Sequence, residues 1–484
     1  MPNFYRMAEP CHFRGVSAVI YGGLKKMLRL RLMATVFAGG ISLLGGHAFA
    51  QQAPTPNITA QVNDAFREVL RDPSNLQVGQ AYARLLVESG NFEGGIAALE
   101  RLLLDPAADP AIRVELGVLY YRVGSYGMAE SYLRAAVADS RLSGQVRADA
   151  EKLLRDIERR TAPGGLLAGS VMVGLRVQTN PTAAAESGRL ISNGVSIPLP
   201  ALQGEESDFD ALLTANVNHE WDLGTQNSAT LVSTGSLFAN HYQHAADYDA
   251  ETPKYNPQDL VALSATTGIR FKPAPVDAPD LTVRPYVGGA EILLNGQQYM
   301  AAAGGGVDVD YRLGGGSTLV GATYDIRRTF FEERGDISES GAQSGFEQYL
   351  QLRVTKEVAP LQVVGADVTL RDHHAGRGYF AFQSVEGRLT YAARYTNPVG
   401  WDDRLWGNSL YAGPTLRYYD GADPSVDRTV TREDVEWRIG ATQVMPLTEA
   451  LSVMLAVEYT TSDSNLTNYT YDNLMGMTSI VWNF

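Results

Sequence analysis

The chain has 484 residues, with 54 acidic against 40 basic side chains, a formal charge of −14 and one cysteine, Cys11. That length allows two or three domains, the acid excess argues against a nucleic-acid partner, and one cysteine excludes a disulfide framework.

The first fifty residues read as an export signal. Lys25, Lys26, Arg29 and Arg31 precede or flank the start of the apolar run LMATVFAGGISLLGG, and Ala48-Phe49-Ala50 is an A-x-A cleavage site before Gln51. The segment before Met27 is too long and irregular for a basic n-region, so Met27 and Met33 are alternative translation starts. The apolar run is short for a bilayer core of roughly 30 Å and no charged stop follows it. Removing residues 1–50 takes away six basic residues and one acidic one, which leaves 53 acidic against 34 basic, or −19, and no cysteine. Such a chain fits the envelope of a Gram-negative cell. No apolar run of about eighteen residues follows residue 50, so no transmembrane helix is expected.

Residues 57–160 carry a helical pattern with an internal period. Tyr82-Ala83, Leu86, Gly90, Leu99 and Leu102 are matched 34 positions later by Leu116-Gly117, Tyr120, Gly124, Leu133 and Ala136. This spacing resembles the tetratricopeptide repeat, a helix-turn-helix unit. The second copy, LGVLYYRVGSYGMAESYLRAA, places Ala129 at the small packing position, where the first copy has Gly95. Two repeats fit, between a helix ending near Asp72 and a closing helix, GQVRADAEKLLRDIERR. The resemblance implies a periplasmic α-helical solenoid with a concave partner-binding face near Tyr82, Tyr120 and Tyr121. A purely structural helical spacer is the alternative.

After residue 165 the period changes from helix to strand. In ALSVMLAVEY, Leu451, Val453, Leu455, Val457 and Tyr459 share a face opposite Ser452, Ala456 and Glu458. Val435, Trp437 and Ile439 likewise oppose Asp434, Glu436 and Arg438, and Val385, Leu389, Tyr391 and Tyr395 oppose Glu386, Arg388 and Arg394. Fourteen such segments begin near 166, 208, 228, 259, 281, 298, 317, 346, 361, 379, 405, 431, 450 and 468. The connections alternate: long at 178–206, 243–257, 332–344 and 420–430, tight at 222–225, 313–316, 358–360 and 446–449. The connection near 295 is short where a long one is expected. An even strand number, one apolar face and alternating loop lengths predict a transmembrane antiparallel β-barrel over 166–484. A soluble β-sandwich or solenoid is the alternative.

The ending NLMGMTSIVWNF then reads as the closing strand, paired with the first strand near Leu167–Val177. Its aromatic end resembles the signal by which outer-membrane barrels engage the barrel-assembly machinery, which assigns closure to Trp482 and Phe484. Trp482, Phe484, Tyr469 and Tyr471 are expected in the aromatic girdles at the lipid interfaces.

Enzymatic chemistry finds little support, and the chain reads as a non-enzyme without cofactor or metal. His373-His374 lack further ligands, and His241 and His244 beside Asp247, Asp249 and Glu251 lack a calcium-loop spacing. No G-x-S-x-G elbow occurs, and AAAGGGVDVD and LGGGST lack the lysine of a phosphate cradle. The alternation instead places Asp308, Asp310, Asp325, Arg327, Arg353, Glu386, Arg388, Arg394, Glu436 and Arg438 in the lumen. Mixed signs at neighbouring positions favour ion-paired networks, which either line a hydrated path or fill the interior.

A signal peptide, a helical repeat domain and a fourteen-stranded barrel together resemble the surface lipoprotein assembly modifier family. The segment VMVGLRVQTNPTAA looks like that family's first strand and the turn after it. The resemblance implies an outer-membrane location with a periplasmic amino-terminal domain, a protein or lipoprotein client carried to the cell surface, and no catalytic residues. A polysaccharide-export pore and a passive porin are the alternatives.

Overall fold

The computed structural model describes residues 56–106, 108–161, 165–198, 206–225, 228–244, 257–275, 277–400 and 402–484. The proposed signal and Cys11 lie outside the described residues. Among the described residues six helices come first: α1 (Pro56–Arg71), α2 (Leu76–Glu88), α3 (Phe92–Leu102), α4 (Ala111–Arg122), α5 (Tyr126–Ala138) and α6 (Gly144–Thr161). The chain divides between Gly95 and Ile96 into two compact units.

In the first unit, the Asn75 side chain accepts from the N–H groups of Gln77 and Val78 at 3.1 and 3.2 Å, which supplies partners for donors left open at the start of α2. Ala83 and Leu86 are buried, and Phe66 lies against Tyr82 with ring centroids 5.6 Å apart. In the second unit, α4 and α5 approach at Gly117, where an added Cβ would stand 2.5 Å from Leu133 Cγ. Ala129, Leu133, Ala150, Leu154 and Ile157 form the core there. The 34-residue spacing is visible in the backbone of both units. Gly90 and Gly124 follow α2 and α4 with φ of +84° and +83°, a left-handed turn that a side chain disfavours. The N–H groups of Ser89 and Val123 bond back to the carbonyls of Leu85 and Leu119 in the same way.

The remainder is one closed antiparallel barrel of fourteen strands: β1 (Leu166–Gln178), β4 (Asp208–Asp222), β5 (Thr230–Tyr242), β6 (Leu260–Arg270), β7 (Leu281–Leu294), β8 (Gln297–Leu313), β9 (Thr318–Phe331), β10 (Gly345–Ala359), β11 (Gln362–Ala375), β12 (Phe382–Thr396), β13 (Leu405–Ala422), β14 (Thr431–Pro446), β15 (Leu451–Ser464) and β16 (Tyr471–Asn483). Each strand begins within three residues of its predicted start. The barrel closes by pairing β1 with β16, from Ser170 opposite Asn483 to Gln178 opposite Met475. Beyond that register, Gly169 and Phe484 exchange two backbone hydrogen bonds at 3.0 and 3.1 Å. Gly169 is required by this approach, since a Cβ there would stand 2.4 Å from the Asn216 carbonyl and 2.6 Å from the Phe484 ring.

One element departs from the sequence reading. A small hairpin, β2 (Arg189–Ser192) and β3 (Val195–Pro198), stands in the loop after β1. Its four-residue strands are too short for period counting, although Asn193-Gly194, both at positive φ, is a hairpin turn signal. The short connection at Asn295-Gly296 is a second such turn, with φ of 50° and 74°. The next long loop covers it: Arg334 reaches over to the carbonyls of Leu294 and Gln297, both at 3.3 Å, while Asp336 takes its other edge at 2.6 and 2.8 Å. Those hydrogen bonds hold the Asp336 carboxyl below the usual carboxylate range. In the loop after β1, Asn180 is buried and its side chain bonds both the N–H and the carbonyl of Ala184, at 2.8 and 2.9 Å.

Residues paired directly across antiparallel strands share a face, so the register sorts every side chain. The outward set includes Val173, Leu175, Leu213, Leu237, Val287, Val309, Leu352, Leu389, Ile439 and Ile480, whose accompanying exposed neighbours make an apolar band. Trp221, Tyr311, Tyr391, Tyr395, Trp406 and Trp482 edge this band at the short-turn end, and Phe209, Phe330, Phe346 and Trp437 edge it toward the long loops. Trp482 and Phe484 pack together on this surface, 4.9 Å between centroids. Tyr471 is a correction: it pairs with Ser462 on the inward face and its hydroxyl bonds Glu436 at 3.2 Å, because it stands eleven residues from Trp482 and so on the opposite face of the strand. Tyr469 is another, held in a short 3-10 turn with Arg432 over its ring.

Removing Phe484 deletes the last backbone pair of the seam and the ring over Gly169. Most of the folded, heat-modifiable form should then be lost from outer-membrane fractions in a gel-shift assay. Gly117→Val should destabilise the helical unit by about 1–3 kcal/mol through overpacking against Leu133, read by pulse proteolysis of the whole chain.

Candidate functional site

The inward face of the barrel is organised in lateral rows, because a pairing partner on one strand is itself paired with a partner on the next. One row runs Asp310, Gly321, Arg353, Asp367, Arg388, and continues through Gly413 to Arg438 and Thr460. The adjoining row, two residues nearer the long loops, runs Asp308, Thr323, Gln351, Thr369, Glu386, Thr415, Glu436, Ser462 and Tyr471. Seven of the ten lumen residues named from the sequence thus fall in two neighbouring rows. Asp325 and Arg327 stand in the next two rows above, and Arg394 lies apart, paired with Gly407 near the short-turn end.

Ion pairs follow these rows. Arg176 grips Asp210 with two bonds at 2.8 and 2.9 Å, Arg270 meets Glu220 at 2.6 Å, and Arg284 meets Asp308 at 2.8 Å. Arg327 holds Asp325 at 2.8 Å, Arg353 holds Asp310 at 2.7 Å, Arg388 approaches Glu386 at 3.4 Å and Arg438 holds Glu436 at 2.7 Å. Among the described residues, every one of these pairs joins residues of the same strand, of neighbouring strands or of strands one apart. None crosses the lumen. Fourteen strands spaced about 4.8 Å apart and tilted about 40° enclose a backbone cylinder of roughly 28 Å diameter, too wide for opposed side chains to meet. At the short-turn end Asn218, Glu220, Arg270, Arg284, Asp308 and Asp310 line a recess of about 210 Å³.

Three of the rows contain the same device, in which a donor crosses a glycine to reach a carboxylate two strands away. Tyr286 passes over Gly306 to Asp325, its hydroxyl at 2.8 Å. Arg353 passes over Gly321 to Asp310, and Tyr411 passes over Gly440 to donate to Glu458. An added Cβ would stand 2.7 Å from the Tyr286 hydroxyl at Gly306 and 2.4 Å from that of Tyr411 at Gly440. Gly306, Gly321 and Gly440 are therefore crossings, whereas Gly314 and Gly316 of LGGGST lie in a short turn at positive φ. Sequence reasoning missed Tyr286, Tyr411 and Glu458; a tyrosine, a glycine and an acid on three successive strands was a signal only once the register was known.

The helical residues fall differently. Tyr120 stacks on Tyr132 at 5.5 Å and both hydroxyls bond Glu100, at 2.7 and 3.0 Å, while Tyr121 donates to Asp156 at 2.5 Å. Burial and the Glu100 carboxylate push the Tyr120 phenol up. These two tyrosines are struts between helices rather than one open face, and Tyr82 belongs to the other unit, against Phe66. The periodicity identified them as repeat positions, and repeat positions are mostly packing positions. Exposed apolar side chains on α4 and α5 are instead Val118 and Met128. His241, near the end of β5, meets Asp259 at 2.5 Å, and His244 just beyond that strand meets Asp208 at 3.1 Å; Asp247, Asp249 and Glu251 lie outside the described residues.

A closed barrel with an apolar, aromatic-edged exterior and a charged interior defines an outer-membrane type of β-barrel protein. No protein-family model matches the sequence, and no curated protein matches it. Among solved structures, the chain is similar to the outer membrane channel DcaP of Acinetobacter baumannii, at 8% identity over 66% of this chain and 96% of that one, with a TM-score of 0.36. It is also similar to an anion-selective porin from Comamonas acidovorans, at 10% identity over 66% and 98%, with a TM-score of 0.31. A third likeness, to the type III secretion translocator chaperone SycD of Yersinia enterocolitica, covers 22% of this chain and 76% of that one at 13% identity, with a TM-score of 0.20. These are likenesses of shape alone.

Tyr411→Phe should leave the Glu458 carboxylate short of a donor and lower barrel stability by about 1–3 kcal/mol. Gly440→Leu, which also displaces the ring, should cost more. The urea midpoint of the folded gel band measures both.

Proposed function

We propose that the chain is an outer-membrane conduit that helps an exported protein or lipoprotein reach the cell surface, with the helical domain engaging the client in the periplasm and the barrel supplying the path. The observation that carries the path is the layout of the interior ion pairs. Charges that paired across the barrel would fill it; charges paired along the wall leave the axis to water. The wall-bound arrangement of Arg176–Asp210, Arg327–Asp325 and Arg438–Glu436 is of the second kind.

Client engagement rests on the two helical hairpins that repeat at 34 residues, a unit that in repeat proteins presents extended binding surfaces. The exposed Val118 and Met128 are the apolar contacts on offer there, in place of Tyr120 and Tyr121. Folding of the barrel itself calls on the barrel-assembly machinery, through the aromatic end at Trp482 and Phe484.

The test compares proteins released by protease shaving of intact cells with and without the gene. The expected result is loss of one or a few surface proteins whose total cellular amounts are unchanged. An unchanged surface set rejects the protein-client reading while leaving the conduit itself standing.

A further inference from the structure

The formal charge of the lumen is nearly balanced, but its two signs lie at different depths. In seven of the ten interior arginine–carboxylate pairs the arginine side chain is clearly the more exposed partner. The contrast is large where it matters: 47% against 11% for Arg438 and Glu436, 43% against 15% for Arg371 and Glu347, and 30% against 3% for Arg327 and Asp325. In the other three pairs, Arg284–Asp308, Arg353–Asp310 and Arg388–Glu386, the partners are about equally exposed.

The cause is the packing of the wall. Carboxylates on short side chains sit close to the strands and collect further donors there: Asn240 on Asp210, Tyr286 on Asp325, Tyr471 on Glu436. Arginine is longer, so its head reaches past the acid toward the axis while its stem lies on the wall. The most exposed heads are gathered on one side of the barrel. Arg394 and Arg388 follow one another up β12, Arg438 flanks them on β14, and Arg371 and Arg417 share a row with Ser384 two rows above, beyond the row of Glu386 and Glu436. Arg394 makes no ion pair among the described residues. The strands facing this file across the lumen, β4 to β6, carry neutral hydroxyls and amides at mid-height, with Ser236 bonded to Ser264 at 2.6 Å and Thr234 to Thr266 at 2.8 Å.

We propose that the lumen is an anion-preferring path, made cationic at its water-facing surface by this file of arginines and suited to solutes that carry carboxylates. The proposal rests on the open-path reading of the barrel. A water-filled cleft lined by one sign of accessible charge concentrates the opposite ion, and guanidinium heads pair with carboxylate in a planar, two-pronged geometry.

The experiment uses the full chain in planar bilayers under a potassium chloride gradient, with citrate as a carboxylate probe. The zero-current potential should report chloride over potassium, and citrate should reduce chloride current. Arg388→Gln and Arg394→Gln leave no deeply buried acid unpaired. Each should lower chloride permeability and raise that of potassium by about 2.4-fold, the Boltzmann factor for one unit charge about 8 Å from the path in water, so that the chloride-to-potassium ratio falls by about sixfold. Arg388→Lys and Arg394→Lys keep the charge and should keep the ratio while weakening the citrate effect. A conducting barrel that prefers potassium, or whose ratio is unmoved in the glutamine variants, overturns the anion proposal alone. Correctly inserted, heat-modifiable protein that never conducts overturns the open path and the anion proposal with it.

Discussion

Closure of β1 on β16 is the constraint on which everything else depends. In lipid no water is present to take up an open strand edge, so each backbone N–H and carbonyl must be answered by another strand. The seam meets that demand with a register that runs to Phe484, where the last residue exchanges both hydrogen bonds with Gly169. The glycine admits the Phe484 ring, and Phe484 in turn covers the glycine. A single methyl group at that point would meet backbone on one side and aromatic carbon on the other.

Once the sheet is closed, one alternation serves two solvents. Successive residues in a strand face lipid and lumen in turn, so β14 turns Val435, Trp437 and Ile439 outward and Asp434, Glu436 and Arg438 inward. The glycine crossings belong to the same arrangement. Where Gly306, Gly321 and Gly440 remove a side chain from the wall, a tyrosine or arginine can lie flat and tie three strands together. The ties resist shear between strands without taking up the axis.

Much of this was legible in the sequence, because closure makes strand identity a matter of period. The fourteen starts, the apolar and polar faces and the pairing of the first and last strands followed from alternation and loop length. What alternation cannot supply is distance along a row or depth within a face. Tyr471 falls on the inward face by alternation from Trp482, but only the register shows that its hydroxyl reaches Glu436 two strands away. Tyr120 and Tyr121 were visible as repeat positions, but their hydroxyl partners Glu100 and Asp156 lie 20 and 35 residues away in the chain. No local pattern connects them.

Depth matters most for charge. The sequence carries a formal charge of −14, which describes the whole chain and says nothing about any one surface. In the lumen a carboxylate held at the wall by two or three donors is screened by its own partners, whereas the guanidinium that answers it projects toward water. Exchange of Arg438 for a neutral residue would therefore remove an accessible charge and also strand Glu436 in the wall, a change of stability and of field together. At Arg388 the acid Glu386 is itself 38% exposed, and at Arg394 there is, among the described residues, no paired acid to strand. Those two positions separate the field of the lumen from the integrity of its wall, which the rest of the network binds into one.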